Sequence, residues 1–154
     1  MSPVSAVVRT LAEEIPGPPE QVRSFYVDLG RIADIHPLVV SVRTVARQST
    51  ADGYRQTYRI KDVVPLGFLR LPVTYTAELT VPDDGPVTAR SRQFPRVRLD
   101  SSVSFTASPG GTVLTERIVI GAPWPLLSVT VRQAVAAHTE MLAALRRRFE
   151  SRRF

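Results

Sequence analysis

The chain has 154 residues, a net charge of +6 and no cysteine; one domain over residues 1–154 is expected, large enough to bury about 70% of its unfolded-chain surface. The missing cysteines exclude a disulfide framework, thiolate chemistry and the commonest ligand of structural zinc. Met1-Ser2-Pro3-Val4 has no basic segment ahead of an apolar core, and no run approaches the ~20 apolar residues of a membrane span, so a cytoplasmic location is the default expectation.

Ser5–Ile15 reads as a first strand, ended by Pro16-Gly17-Pro18-Pro19. A helix is expected from Pro19, with proline and Glu20 in its first turn; Val22, Phe25, Tyr26 and Leu29 form its buried stripe and Gly30 caps its end. A shorter helical turn, Arg31–Ile35, stops at His36 because Pro37 disfavours helix in the preceding residue. Six strands follow: Leu38–Gln48, Gly53–Val64, Leu71–Val81, Val87–Phe94, Val97–Ser108 and Thr112–Gly121. Turns at Ala51-Asp52-Gly53, Asp83-Asp84-Gly85 and Pro109-Gly110-Gly111 separate several of them, and Pro65-Leu66-Gly67-Phe68 breaks the second of the six from the third. Leu126–Arg152 closes the chain as one long helix. Leu127, Val131, Ala134, Val135, Leu142, Leu145 and Phe149 recur at helical spacing, and His138 falls on the same face.

Alternation along the strands separates the two faces of a sheet. Tyr54, Gln56, Tyr58 and Ile60 alternate with Arg55, Thr57, Arg59 and Lys61, while Leu71, Val73, Tyr75, Ala77 and Leu79 alternate mainly with threonines and Glu78. Val97, Leu99, Ser101, Val103 and Phe105 alternate with Arg98, Asp100, Ser102 and Ser104. The apolar set is expected to face the long helix, with space for a small molecule between helix and sheet. Tyr58, Val73, Tyr75, Ser91, Gln93, Leu99, Ser101, Val103, Glu116 and Ile118 from the strands would line that cavity. Val131, Ala134, Val135, His138 and Leu142 would line it from the helix.

Several of these inward positions are polar, and an unsatisfied buried polar group costs about 1–3 kcal/mol. A wet cavity or a polar-headed ligand follows more readily than a dry core. His138 is read as a satisfied core histidine, a ligand contact or a proton-transfer group. Glu116 shares the parity of Leu114, Ile118 and Ile120; if inward it would bond a tyrosine or His138, whereas a one-residue bulge would bring Arg117 in instead. Tyr58 and Tyr75 are read as large core residues or as hydroxyls that orient a ligand carbonyl. His36, held before Pro37, is read as a structural cap, with the cavity rim as its alternative. No metal and no cofactor are expected, since neither His-x-x-x-His nor Glu-x-x-His spacing, phosphate loop nor nucleophile elbow is present.

Of the twenty basic residues, nineteen are arginine, many at alternate strand positions that suit a solvent face. Only Arg146, Arg147, Arg148, Arg152 and Arg153 cluster, against Glu150. Cations suit a helix C-terminus; a weak contact with an anionic membrane surface is the alternative, and nucleic acid is not expected as a partner. Oligomeric state stays open.

Across its whole length the chain resembles the START-like, or SRPBCC, superfamily, which includes polyketide cyclases and dehydrases, lipid-transfer domains and plant hormone-binding or allergen proteins. Pro18-Pro19-Glu20-Gln21-Val22 followed by Phe25 looks like the helix after the family's first strand. Ala33-Asp34-Ile35-His36-Pro37 looks like the turn where Trp-His-Pro is frequent, with Ile35 in place of the tryptophan, and Gly110-Gly111-Thr112 looks like the start of the final strand. The resemblance implies an α+β helix-grip fold: a curved seven-stranded antiparallel sheet wrapped around the long C-terminal helix, with two short helices between strands 1 and 2. It also implies that Pro65, Leu66, Gly67 and Phe68 occupy the position of a loop that gates the cavity. Three functions are then open: binding or transport of an apolar small molecule such as a lipid, fatty acid or polyketide; a cyclase or dehydratase using His138 with a tyrosine or Glu116; and a protein or ribosome interaction module. Under the second, His138→Phe is expected to abolish turnover while changing stability by less than about 1 kcal/mol.

Overall fold

The computed structural model describes residues 4–151, with the side chains of Val4 and Leu66 excepted. Arg152 and Arg153, and the initial Met1-Ser2-Pro3, lie outside the described residues. The elements run β1 (Val4–Ile15), α1 (Pro19–Val27), α2 (Leu29–Ile32), β2 (Val39–Thr50), β3 (Gly53–Leu66), β4 (Leu69–Pro82), β5 (Val87–Gln93), β6 (Val97–Ser108), β7 (Gly111–Pro123) and α3 (Trp124–Glu150). The strands form one antiparallel sheet in the order β1-β7-β6-β5-β4-β3-β2. This is the helix-grip arrangement that the family resemblance implied.

Two local expectations are corrected. Gly30 does not end the first helix: α1 stops at Val27, and the Asp28 carboxylate accepts from the Gly30 amide at 3.1 Å, so Asp28 caps α2 and Gly30 lies inside it. The segment Pro65-Leu66-Gly67-Phe68 is not a loop between separate strands. Pro65 pairs with Arg70 and Leu66 with Leu69, leaving a two-residue turn in which Gly67 takes φ 59° and Phe68 is 96% exposed. Strand propensity therefore persists through Pro65, whose missing amide costs nothing where no partner needs it.

Gly111 shows why β7 begins with a glycine. It has φ +134°, and a Cβ there would sit 2.3 Å from the Ile15 carbonyl oxygen. The turn brings β7 against the end of β1, where Thr112 Oγ1 donates to the Gly17 carbonyl at 2.6 Å.

Helix α3 lies over β1 and β7, at one side of the sheet, rather than over its middle strands. Its C-terminal half packs Met141, Leu142, Leu145 and Phe149 against α1 and the β1–β7 strands, with Phe25 edge-on to Phe149 at 5.9 Å between ring centroids. Its N-terminal half packs Val131 against Ile118 and Ile120. A separate cluster on β3, β4 and β5 joins Tyr58, Ile60, Ala77, Leu79, Val81 and Val87. The space between these three packed regions is where the candidate site lies. At the helix end, Arg146 pairs with Glu13 and Glu150 and Arg147 with Glu140, contacts open to solvent and worth little each. Among the described residues no helix is long and apolar enough to cross a membrane.

Candidate functional site

A cavity of about 130 Å³ opens between the inner face of β3–β7, the α1–α2 segment and α3. Its floor consists largely of small side chains at inward strand positions: Ala77, Ala89, Ser91 and Ser101. Leu29, Ile32, Ile60, Leu79, Leu99, Ile118 and Met141 supply apolar walls. A second lobe of about 90 Å³ shares His36, Tyr75, Ser91, Leu99 and His138 with the first. Asp62, Gln93, Thr130 and Gln133 make this lobe the more polar of the two.

The site's titratable groups reach it from α1, β3, β4, β7, α3 and the turn before β2. Glu116 on β7 is fully buried and Arg117 exposed, because β7 runs in unbroken register with both β1 and β6; no bulge intervenes. Glu116 Oε1 lies 2.5 Å from His138 Nδ1, and neither atom has another hydrogen-bond partner among the described residues. Glu116 Oε2 accepts from the Tyr26 hydroxyl at 3.4 Å. Burial pulls the His138 pKa down, but the Glu116 carboxylate, aided by Asp62, outweighs it and leaves the imidazole above its ordinary 6.5. Burial and the same carboxylate push the Tyr26 hydroxyl well above 10. His138 Nε2 has no partner among the described residues and is the ring atom left to the cavity, since His138 lines both lobes.

The His36 ring meets His138 edge-on at 5.7 Å between centroids. His36 Nδ1 accepts from the Leu38 amide at 3.2 Å, which assigns the proton to Nε2. Burial, with His138 nearby, lowers its pKa to about 4, so it is neutral at physiological pH. The residue is thus both the local cap expected before Pro37 and part of the cavity wall.

Asp62 on β3 faces Tyr75 on β4. The Tyr75 hydroxyl donates to Asp62 Oδ2 at 3.2 Å, while Oδ1 is buried with no partner among the described residues. Burial raises the Asp62 pKa to about 6 against the restraint of the Tyr75 bond and His138.

Of the residues assigned to the cavity from sequence, Tyr75, Ser91, Leu99, Ser101, Ile118 and His138 line the main lobe, and Gln93 and Ala134 the second. Glu116 stands behind His138 rather than at the wall. Val103 and Leu142 lie in the packed α1–α3 core, and Val131 and Val135 pack around Ile118 and Ile120. Val73 pairs with Asp62 on the neighbouring strand but does not line either lobe. Tyr58 is buried with its hydroxyl donating to the Val27 carbonyl at 3.2 Å, a brace between β3 and α1. Sequence reasoning missed Asp62 and Tyr26. The signal for Asp62 was available, since it continues the inward parity of Tyr54, Gln56, Tyr58 and Ile60 by one step. Tyr26 was visible only as part of a buried stripe, because nothing local tells which residue a helix will meet across the core.

The sequence profile described as polyketide cyclase / dehydrase and lipid transport matches residues 6–150. No functionally curated protein is significantly similar in sequence. Among solved structures, TTHA0849 from Thermus thermophilus is 21% identical with a TM-score of 0.70, the match covering 96% of this chain and 98% of that one. The di-domain ARO/CYC BexL from the BE-7585A biosynthetic pathway superposes with a TM-score of 0.74 at 16% identity, over 96% of this chain but 51% of that one. This chain therefore spans about half of that di-domain protein. Ara h 8.0201 superposes with a TM-score of 0.71 at 11% identity, covering 96% of this chain and 99% of that one. At these identities the structural likeness is one of fold, and family membership rests on the profile. On that ground the chain belongs to the polyketide cyclase/dehydrase and lipid transport family.

Proposed function

We propose that the protein binds an apolar small molecule, of lipid, fatty-acid or polyketide type, in the cavity between α3 and the β3–β7 face. The observation that carries this reading is the row of small side chains on the cavity floor. A core selected only for stability would fill such positions, since interior voids forfeit dispersion contacts. The family to which the chain belongs, described by cyclisation, dehydration and lipid transport, supports the same class of occupant. Freshly purified protein is expected to retain an apolar molecule in native mass spectrometry, and delipidated protein to bind octanoic acid. The double substitution Ala89→Leu with Ser101→Leu fills the floor and is expected to abolish both while leaving the thermal midpoint within a few degrees. No retained molecule and no octanoate binding by the wild-type chain would remove the proposal.

A second reading is favoured by one geometric fact. Glu116 holds His138 Nδ1 and leaves Nε2 to the cavity, the arrangement in which a carboxylate orients an imidazole for proton transfer. On this reading His138 takes or delivers a proton during cyclisation or dehydration of a bound polyketide-like chain. His138→Phe is expected to leave binding of a poly-β-ketone mimic within about threefold and to abolish its conversion; full conversion by the variant would exclude the role. The stability expectation for this variant is revised from under 1 to about 2 kcal/mol, because the Glu116 carboxylate would lose its partner.

A further inference from the structure

We infer that Asp62 is a recognition residue: its free Oδ1 accepts a hydrogen bond from a hydroxyl on the ligand, so the occupant of the cavity is a hydroxylated apolar molecule, not a plain hydrocarbon. This deepens the binding proposal above and rests on it. The inference stands on three observations. Asp62 is 7% exposed, yet Oδ1 has no hydrogen-bond partner while Oδ2 is held by Tyr75. Buried polar atoms without partners are rare and demand a missing partner. Second, Asp62 is one of the residues that line the second lobe, so its carboxyl lies beside the space an occupant would fill, and a slight turn of the group brings the sealed Oδ1 to that occupant. Third, the two lobes differ in character. Tyr75 and the two histidines line both; the main lobe is otherwise walled chiefly by aliphatic side chains, whereas Gln93, Thr130 and Gln133 join Asp62 in the second alone. One molecule spanning both would set an apolar body on the alanine and serine floor and a polar end against Asp62.

Hydroxyl is favoured over ammonium as that end. Bringing an ammonium into this interior carries a large desolvation cost and sets it beside His138, whereas a hydroxyl is neutral and needs one acceptor. His36, whose proton lies on Nε2, lines the same lobe and supplies a donor for the hydroxyl oxygen, which then has both of its polar contacts.

Three probes of one ring size test this: 1-naphthol, 1-methoxynaphthalene and 1-methylnaphthalene, with dissociation constants read from amide shifts of Tyr75 and Ser91 by NMR. The wild-type chain is expected to bind 1-naphthol about tenfold more tightly than either of the others. Asp62→Leu is expected to reduce that preference to within twofold while retaining affinity for 1-methylnaphthalene, and Asp62→Asn to retain part of it. Equal binding of 1-naphthol and 1-methoxynaphthalene by the wild-type chain would overturn the inference without touching the cavity proposal, and that comparison needs no variant to fold. An unchanged preference in Asp62→Leu would also overturn it. Failure of all three probes to shift either amide would overturn both.

Discussion

Glu116→Leu is expected to lower stability by about 3 kcal/mol, a fall in midpoint of about 6–12 °C for a chain of this size. The carboxylate is fully buried and is the partner of both His138 Nδ1 and the Tyr26 hydroxyl. Its removal strands two polar groups at once. The effect sits at the low end of the range for breaking a buried pair because the His138 side chain remains 19% exposed and can be partly hydrated. The histidine itself supplies a second readout. In the wild-type chain its pKa is raised, so the pair contributes stability that is fully present below the unfolded value of about 6.5 and lost as pH rises through the folded value. Without the carboxylate, burial is the main remaining influence and the His138 pKa falls below 6.5. Urea unfolding and an NMR titration of the imidazole check the two parts. A midpoint change under 2 °C, or a His138 pKa that stays raised, would show that the contact at 2.5 Å carries little energy.

Asp62→Asn is expected to act in the opposite direction, stabilising the protein by about 1–2 kcal/mol at pH 7. A carboxyl raised from 3.8 to about 6 must be ionised at pH 7 in surroundings that disfavour the charge, a cost of at most about 3 kcal/mol. Partial access to the cavity reduces it. Asparagine keeps an acceptor for Tyr75 and removes the charge. The pH dependence distinguishes this from a generic packing effect. Between about pH 4 and 6, folded Asp62 holds a proton that the unfolded chain has released, so its contribution makes stability fall as pH rises. His36 does the reverse: with a folded pKa of about 4, it refuses a proton that the unfolded chain accepts below 6.5, so stability rises with pH over about 4–6.5. In the wild-type chain the two slopes largely offset each other. Asp62→Asn removes one of them, and denaturant midpoints measured from pH 4 to 7 are expected to climb. A variant no more stable than wild type at pH 7, or one with a flat profile, would contradict this account. A residue that weakens the fold while facing a cavity is the pattern expected where stability is given up for recognition.

How far the residues alone disclosed this site depended on how local each signal was. Inward parity along a strand is a two-residue period, so Tyr75, Ser91, Leu99, Ser101 and Ile118 could be placed on the cavity face from the pattern by itself. Glu116 was ambiguous for the same reason, since a single bulge would have reversed it; only the pairing of β7 with two neighbours settles its direction. The gate segment misled because Pro65 and Gly67 read as breakers, although a hairpin needs no more than the two residues Gly67 and Phe68 to turn. Val103, Val131, Val135 and Leu142 share the inward parity of the cavity residues and yet are packed core. Period distinguishes the face of an element but not the place along it where packing gives out.

From the order of residues came the succession of strands and helices, the antiparallel sheet they form and the face each strand turns inward, because these follow from hydrogen-bonding period, turn chemistry and apolar alternation within a few neighbours. Where α3 comes to rest was a tertiary matter. By lying over β1 and β7 it leaves the alanines and serines of β4–β6 uncovered, and it brings His138 to Glu116, with Tyr26, His36 and Asp62 close around. Those five residues are spread from position 26 to 138, and no local rule relates them; only the balance of burial over the whole core sets their distances.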